Sequence, residues 1–186
     1  MDAMRSALTK NYVRGVHFEG SFIRDHCIPC LVGKSPQLSY SHHGHRSSKV
    51  GKLLHMDICG SYPVQAPRGK KYFFSILDDM SNWGFTFGLR LKSNAFSHYL
   101  TTEDFLERSN AVVVLAVRCG GELELTTGRM GDHLASKGII VQCTVPYAHQ
   151  RNSKNERYIR TIEEGGQALL ADSGLPMVFW LDAVLT

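Results

Sequence analysis

The succession of strand and helix patterns between residues 52 and 171 predicts the fold class of this chain. Alternation of Phe85, Phe87 and Leu89 is typical of a strand with one buried face. From the N-terminus, the predicted elements are strands at 52–59, 71–77 and 84–91, a helix at 93–108, a strand at 111–117, a short helix at 131–137, a strand at 139–145, a long helix at 152–171 and a final helix that Pro176 opens. The valine-rich run at 111–117 is expected to be buried on both faces of a sheet. Three strands followed by alternating helices and strands indicate an α/β fold with a mixed sheet and flanking helices.

The composition is that of a folded domain of ordinary size. The chain has 186 residues, of which 43% are hydrophobic and 20% are charged, and this excludes wholesale disorder. No apolar run reaches the roughly 18 residues that a membrane span needs, and residues 1–10 contain no apolar signal segment. Five cysteines are few and odd in number for a disulfide framework. We therefore expect an intracellular protein with no membrane partner.

Basic residues are concentrated at the start of the chain. Residues 1–52 contain eight Lys and Arg against three Asp and Glu, whereas the remainder contains thirteen against fourteen. A basic lead segment is typical of nucleic-acid-binding proteins and also of a solvated basic surface. Residues 33–52 are rich in Gly, Ser, His and Lys, which is the composition of a linker.

Two carboxylates have sequence contexts that fit a metal site beside phosphates. Asp57 lies in an apolar strand, where a charge is costly unless it is paired, bound to a cation or facing water at the strand end. Glu156 lies in the first turns of the long helix, where Lys154, Arg157 and Arg160 form a basic flank. Such a helix is equally consistent with an exposed surface laced by salt bridges. By contrast, Asp78 and Asp79 fit a turn better than a metal site.

The cysteines offer one further candidate site. Cys27 and Cys30 form a CxxC pair, which is half of a tetrahedral zinc site, and nearby histidines could complete it. A redox role is less favoured, because no strand precedes the pair in a thioredoxin-like arrangement. Cys59 and Cys143 are predicted to be buried thiols.

Five motifs, in order along nearly the whole chain, resemble those of integrases from copia-type retrotransposons. They are Cys27–Cys30 with Gly33-Lys34, Leu54–Gly60, Lys71–Ser81, Pro146–Arg157 and Leu175–Val184. The resemblance implies a ribonuclease H-like integrase core with a mixed five-stranded sheet flanked by helices, preceded by a partial zinc-binding segment. The implied boundaries are a zinc-region remnant at 1–34, a linker at 35–51 and a catalytic core at 52–186 that is truncated at its C-terminus.

The same resemblance implies DNA integration by two-metal phosphoryl transfer, in which two Asp and one Glu hold Mg²⁺ or Mn²⁺. Asp57 would be the first ligand and Glu156 the last. The family places its central Asp two positions before a Gly-Gly-Glu, where this sequence has Arg118. A guanidinium cannot coordinate a cation. We therefore expect weak or absent catalysis unless Glu122 or Glu124 substitutes.

The resemblance also implies partners and a compartment. Gln150, Lys154 and Arg157 are predicted DNA contacts, a homo-oligomer is expected, and the DNA substrate implies a nuclear location. Zinc would bind at Cys27 and Cys30 only if histidines were supplied.

Three interpretations remain open at this stage. The chain is a DNA-binding core with little strand transfer, a competent enzyme that uses Glu122 or Glu124, or a non-catalytic DNA- or protein-binding remnant of a transposable element. Dependence of activity on metal would separate the second from the first. DNA binding that survives loss of Asp57 and Glu156 would support the third.

Overall fold

The computed structural model describes residue 10 and residues 46–110, 112–120, 122–143 and 153–186. The chain divides into two units, Met1–His42 and His43–Thr186, and every element described below belongs to the second. Cys27 and Cys30, on which the predicted zinc segment depends, lie outside the described residues, as does Gln150. The predicted boundaries at 34 and 51 remain predictions.

The described helices and strands follow the predicted order. The strands are β1 (Leu53–Cys59), β2 (Tyr72–Asp78), β3 (Gly84–Leu89), β4 (Ala116–Cys119) and β5 (Ile140–Cys143). The α-helices are α1 (Ala95–Asn110), α2 (Leu123–Thr126), α3 (Gly128–Ser136), α4 (Ser153–Ser173) and α5 (Trp180–Val184). Short 3₁₀ helices lie at Pro67–Gly69, Lys92–Asn94 and Met177–Phe179. The short helix α2 was not predicted from the sequence.

The five strands form one mixed sheet in the order β3-β2-β1-β4-β5. Strands β1, β2 and β3 form an antiparallel meander, whereas β4 lies parallel to β1 and β5 lies parallel to β4. Strand β1 is therefore central, with an antiparallel neighbour on one side and a parallel neighbour on the other. The predicted mixed five-stranded sheet with flanking helices is confirmed.

The two faces of the sheet pack against different helices, because successive side chains of a strand point to opposite faces. Leu54, Met56 and Ile58 belong to the larger core, to which helices α1 and α3 contribute Tyr99 and Leu134. A smaller core on the opposite face joins these side chains from β2, α4 and α5: Phe73, Ile159, Leu170, Trp180 and Leu181. The second face matters for function because α4 carries Glu156.

The predicted strand at 111–117 is wrong in position and in burial. Strand β4 begins at Ala116, and Val113 and Leu115 are exposed. The parallel register pairs Leu53, the first residue of β1, with Ala116. Residues before 116 therefore lie beyond the start of β1, so a continuous ladder cannot form there.

The predicted burial of Cys143 is also wrong, because Cys143 is the last residue of β5, a strand at the sheet edge that is exposed over most of its length. Elsewhere the differences are small. Strand β3 ends two residues before the predicted end, and the last helix begins with a 3₁₀ turn after Pro176. In the part of the chain that the structure describes, no helix is both long and apolar enough to span a membrane.

Candidate active site

Asp57 lies near the C-terminal end of the central strand β1. It pairs with Ser75 of β2 and shares a sheet face with His55, since the two residues are separated by two positions. Its side chain is half-buried, whereas its apolar neighbours Met56 and Ile58 point into the larger core. The central strand thus presents a carboxylate on the face that α4 covers.

Helix α4 is held over β1 and β2 by its first turn. The Asn155 side chain is fully buried, and its Nδ2 donates a hydrogen bond to Ser75 Oγ at 2.9 Å. Ser75 Oγ in turn donates to the backbone carbonyl of Asp57 at 3.4 Å. Because Glu156 follows Asn155 directly, this contact brings the second predicted carboxylate close to Asp57.

The electrostatics of Asp57 show that three carboxylates share this region. Burial raises the pKa of Asp57 to about 6, and the negative charges of Glu122 and Glu156 contribute to the rise. The Ile58 N–H and the Lys92 ammonium oppose this rise. The negative charges of Glu122 and Glu156 therefore act on the Asp57 carboxyl group in a partly desolvated place.

Glu122 is in closer contact with Asp57 than its sequence position suggests. The Ile58 N–H donates to Asp57 Oδ1 at 3.0 Å and to Glu122 Oε2 at 3.1 Å. The other oxygen of Glu122 accepts a hydrogen bond from Lys92 Nζ at 2.8 Å. Of the two predicted substitutes for the central Asp, Glu122 thus contacts the same N–H as Asp57, whereas Glu124 is exposed on α2.

Arg118 does not stand opposite Asp57. It pairs with His55 in the β1–β4 register, and its Nε and Nη2 donate to Gln142 Oε1 at 3.1 and 2.7 Å. The residue that approaches Asp57 is Gly120, because a Cβ built on Gly120 would lie 3.9 Å from Asp57 Oδ1. Motif spacing indicates Arg118 as the residue that faces Asp57. Strand register shows that this residue is Gly120, two positions later.

Lys154 is directed into the protein in this structure. Its side chain is 16% exposed, and its ammonium donates to the carbonyl oxygen and Oδ1 of Asp79. The same carboxylate contacts His55 Nε2 at 3.0 Å and accepts a hydrogen bond from Ser47 N–H. Burial raises the pKa of Asp79, but the Ser47 N–H, His55 and Lys154 outweigh it and lower the pKa overall. This cluster joins the start of α4 to the end of β2.

The turn after β2 is built as the sequence predicts. Asp78 accepts hydrogen bonds from the N–H groups of Gly51 and Ser81 and from the Ser81 hydroxyl, each at 2.6 Å. Both Asp78 and Asp79 are buried and satisfied by protein donors. Asp79 lies in the turn as predicted, whereas Asp78 is the last residue of β2 and accepts hydrogen bonds that hold the turn.

Arg157 and Arg160 are the exposed cations of the first turns of α4. They lie on the same helix as Glu156 and could reach a phosphate backbone without disturbing the Lys154–Asp79 contact. The DNA contacts predicted for Gln150, Lys154 and Arg157 remain predictions.

The described side chains do not fit a two-metal centre. Such a centre needs several hard oxygen ligands arranged around each cation. Within residues 46–110, 112–120, 122–143 and 153–186, no group of three His, Cys, Asp or Glu side chains is placed to hold a metal ion. In addition, one oxygen of Glu122 is bound to Lys92, so an ammonium already neutralises part of the cluster.

Sequence reasoning missed three residues of this site. Lys92 lies in the 3₁₀ turn before α1, and Gly120 directly follows the last residue of β4. Asn155 is fully buried, and its Oδ1 accepts no hydrogen bond within the described part of the chain. Only Asn155 carried a usable signal, since it stands one helical turn before Ile159 on the buried face of α4.

Comparison with known proteins finds a retrotransposon polyprotein that is similar to this chain. The chain is 30% identical over 160 residues to the retrovirus-related Pol polyprotein from transposon TNT 1-94 of Nicotiana tabacum. The predicted resemblance to copia-type retrotransposon integrases is confirmed. The matched part covers 86% of this chain but only 12% of the tobacco polyprotein. No protein-family model matches the chain.

Solved structures show the same fold. A chain in the cryo-EM structure of the simian T-cell lymphotropic virus intasome in complex with PP2A regulatory subunit B56 gamma superposes with a TM-score of 0.60 at 16% identity. The match covers 77% of this chain and 50% of the intasome chain. The catalytic core domain of BIV integrase superposes with a TM-score of 0.49 at 18% identity, covering 73% and 81% of the two chains. The intasome chain thus shares the mixed five-stranded sheet and its flanking helices.

Proposed function

We propose that this chain is an integrase-like core that binds DNA and whose phosphoryl transfer is impaired. The observation that carries the proposal is the approach of Asp57 and Glu156, which are far apart in sequence yet close enough for the Glu156 charge to raise the pKa of Asp57. The tobacco relative is a retrovirus-related Pol polyprotein, and the intasome chain shares the fold. Both support a role in DNA integration.

We expect phosphoryl transfer to be impaired because of the side chains that are available to bind the metal ions. The family's central Asp is missing, Arg118 binds Gln142, and Lys92 binds the carboxylate of Glu122. Divalent cations supply the electrostatic stabilisation in two-metal phosphoryl transfer. A site with one carboxylate paired to lysine binds such cations less tightly, so we expect transfer to be slow or absent.

DNA binding in this proposal depends on surface cations rather than on the carboxylates. Arg157 and Arg160 on α4 would neutralise phosphates, giving binding that is largely independent of sequence and sensitive to salt. Assembly into an oligomer and action in the nucleus belong to the same proposal. Assembly into an oligomer is supported by the structural relative, because that chain is part of an intasome, which is itself an assembly.

The decisive experiment is strand transfer, or its reversal, on a branched DNA substrate with Mn²⁺ or Mg²⁺. The chain is compared with Asp57→Ala, Arg118→Asp and Gly120→Asp, and with Asp172→Ala as a matched control on the exposed end of α4. We expect little activity in the parent chain and none in Asp57→Ala. Robust activity in the parent chain that Asp57→Ala abolishes would overturn the impairment and establish a working enzyme.

DNA binding is tested separately by fluorescence anisotropy over a range of salt concentrations. Arg157→Gln is expected to weaken binding and to reduce the salt slope by about one counterion per lost contact. Arg108→Gln, which removes an exposed cation of α1, is the matched control and should leave both the affinity and the salt slope unchanged. If the parent chain shows no affinity for DNA at low salt, the chain is a remnant without DNA-binding function.

A further inference from the structure

Cys119 and Cys143 occupy directly opposed positions on neighbouring parallel strands. The β4–β5 register pairs Cys119 with Cys143, so the two side chains point to the same face of the sheet. Their thiol groups are within hydrogen-bonding contact, and this contact helps to raise the pKa of Cys119. Neither residue belongs to the carboxylate cluster, because Asp57 lies on the opposite face.

The separation of the two residues suits a covalent link. Neighbouring strands lie about 4.8 Å apart, which is within the Cα separation of roughly 4.4–6.8 Å that a disulfide spans. Two cysteines at opposed positions therefore need little backbone movement to join. The strands themselves are short, with four residues each, and β5 is at the sheet edge, so small adjustments there are inexpensive.

The two thiols differ in access. Cys119 is fully buried in the larger core, whereas Cys143 is exposed. Burial, with the charges of Cys143, Asp57 and Glu122, raises the pKa of Cys119 to about 12. A reagent in solution therefore reacts with Cys143 first. The Cys119 thiol is then in contact with the modified sulfur of Cys143.

We propose that Cys119 and Cys143 form a dithiol site that a small-molecule disulfide such as glutathione disulfide converts into an intrachain disulfide. This inference is independent of the proposed function. The Cys143 thiolate attacks one sulfur of glutathione disulfide, forming a mixed disulfide and releasing one glutathione thiolate. The Cys119 thiol then gives up its proton to the departing glutathione thiolate as its sulfur attacks the Cys143 sulfur, which closes the intrachain bond and releases the second glutathione. The protein loses two protons and two electrons, and glutathione disulfide is reduced to two glutathione molecules.

Cys59 is the internal comparison. It faces Phe73 across the β1–β2 pair and packs at the edge of the smaller core, on the other face of the sheet from Cys119. It is only half-buried, yet its pKa is raised strongly by burial. Cys59 pairs with Phe73 and so has no cysteine opposite it in the β1–β2 ladder, and the geometry therefore assigns the exchange reaction to the 119–143 pair.

The test is peptide mapping of the folded chain after reaction with glutathione disulfide. Free thiols are blocked, the protein is digested without reductant, and linked peptides are identified by mass spectrometry. The chain is compared with Cys143→Ser, Cys119→Ala and the matched control Cys59→Ser. Each is also made in a Cys27→Ser, Cys30→Ser background, so that the CxxC pair cannot contribute.

We expect a linked 119–143 peptide in the parent chain and in Cys59→Ser. In Cys119→Ala the reaction should stop at a mixed disulfide on Cys143, and in Cys143→Ser no glutathione should be found on Cys119. The proposal is overturned if the parent chain retains the mixed disulfide on Cys143 with no linked peptide, or if Cys143 links to Cys59. Should Cys119→Ala fail to fold, the parent chain and Cys143→Ser still decide between these outcomes.

Discussion

Asp57 carries a carboxyl group in a place where its negative charge is costly. Its pKa is about 6 in the folded chain, compared with 3.8 for an ordinary Asp. A raised pKa means that the stabilising contribution is fully present below pH 3.8 and is lost as the pH rises through about 6. At neutral pH the native state therefore holds an ion that the unfolded chain would solvate better.

We expect Asp57→Asn to raise the free energy of unfolding at pH 7 by about 1–3 kcal/mol. The advantage should shrink as the pH falls from 7 to 4, because Asp57 then binds its own proton. Urea denaturation at several pH values measures the difference, with Asp172→Asn as the control for losing a surface carboxylate. An Asp57→Asn variant that is less stable than the parent at pH 7 would contradict the argument.

Glu122 and Lys92 should move the pKa of Asp57 in opposite directions. Glu122→Gln removes a negative neighbour and is expected to lower the pKa from about 6, whereas Lys92→Gln removes a positive one and is expected to raise it. Carboxyl ¹³C chemical shifts followed through a pH titration give both values. Equal shifts in the same direction would indicate a structural rearrangement and not an electrostatic cluster.

Strand register predicts where a third carboxylate would complete the site. Gly120 approaches Asp57, whereas Arg118 pairs with His55. Gly120 does not have the left-handed backbone that would resist a side chain. We therefore expect Gly120→Asp to gain thermal stabilisation by Mn²⁺, measured as a rise in Tm with metal concentration, and Arg118→Asp to gain less. A larger metal response in Arg118→Asp would favour motif spacing over register.

Much of the fold can be predicted from the hydrophobic periodicity of the sequence, but the geometry of the site depends on which strand residues pair with each other. The alternation of Phe85, Phe87 and Leu89 and the run at Leu53–Cys59 predict their strands, because burial on one or two faces leaves a period in the sequence. The position of β4 could not be predicted, since its ends depend on where β1 begins. Motif spacing indicates Arg118 as the position of the third carboxylate. The pairing of β4 with β1, which the sequence does not reveal, shows instead that Gly120 is the residue nearest to Asp57. Asp57 and Glu156 were identified by their sequence contexts, and the motif resemblance then assigned them roles as the first and last metal ligands.

The glycines of the sheet and of α4 should respond to alanine with opposite signs. A Cβ on Gly84 would overlap the Tyr158 ring, whose hydroxyl is hydrogen-bonded to Thr86, so the strand and helix would have to separate. We expect Gly84→Ala to destabilise the fold by about 1–3 kcal/mol.

The matched control is Gly165→Ala in the interior of α4, where a Cβ meets no atom within 4 Å. Alanine loses less backbone entropy in a helix, so we expect this variant to stabilise the fold by about 0.5–1 kcal/mol. Chemical denaturation measures both variants. A neutral Gly84→Ala would mean that α4 can shift away from β3 at little cost.

The whole molecule, in the part that the structure describes, consists of a sheet with one large core and one small one. Helices α1 and α3 close the first, and α4 with α5 closes the second. The carboxylate cluster lies on the α4 side, so its geometry depends on how firmly α4 is held. The dithiol pair lies on the other side, where oxidation would join two strands without touching α4.

We expect the contacts of Lys154 and Asn155 to form late in folding, after the strands of the sheet have paired. The strands of the β1–β2–β3 meander are close in sequence, whereas the bonds from Lys154 to Asp79 and from Asn155 to Ser75 span 75 and 80 residues. Closing such long loops is slow, so the meander forms before α4 docks. We expect Lys154→Gln to accelerate unfolding about tenfold while leaving the folding rate nearly unchanged. Stopped-flow folding and unfolding measurements test this, and a slower folding arm would place α4 docking before the rate-limiting barrier. If only the unfolding rate changes, α4, the helix that carries Glu156 of the carboxylate cluster, is the last element to dock in folding and the first to detach in unfolding.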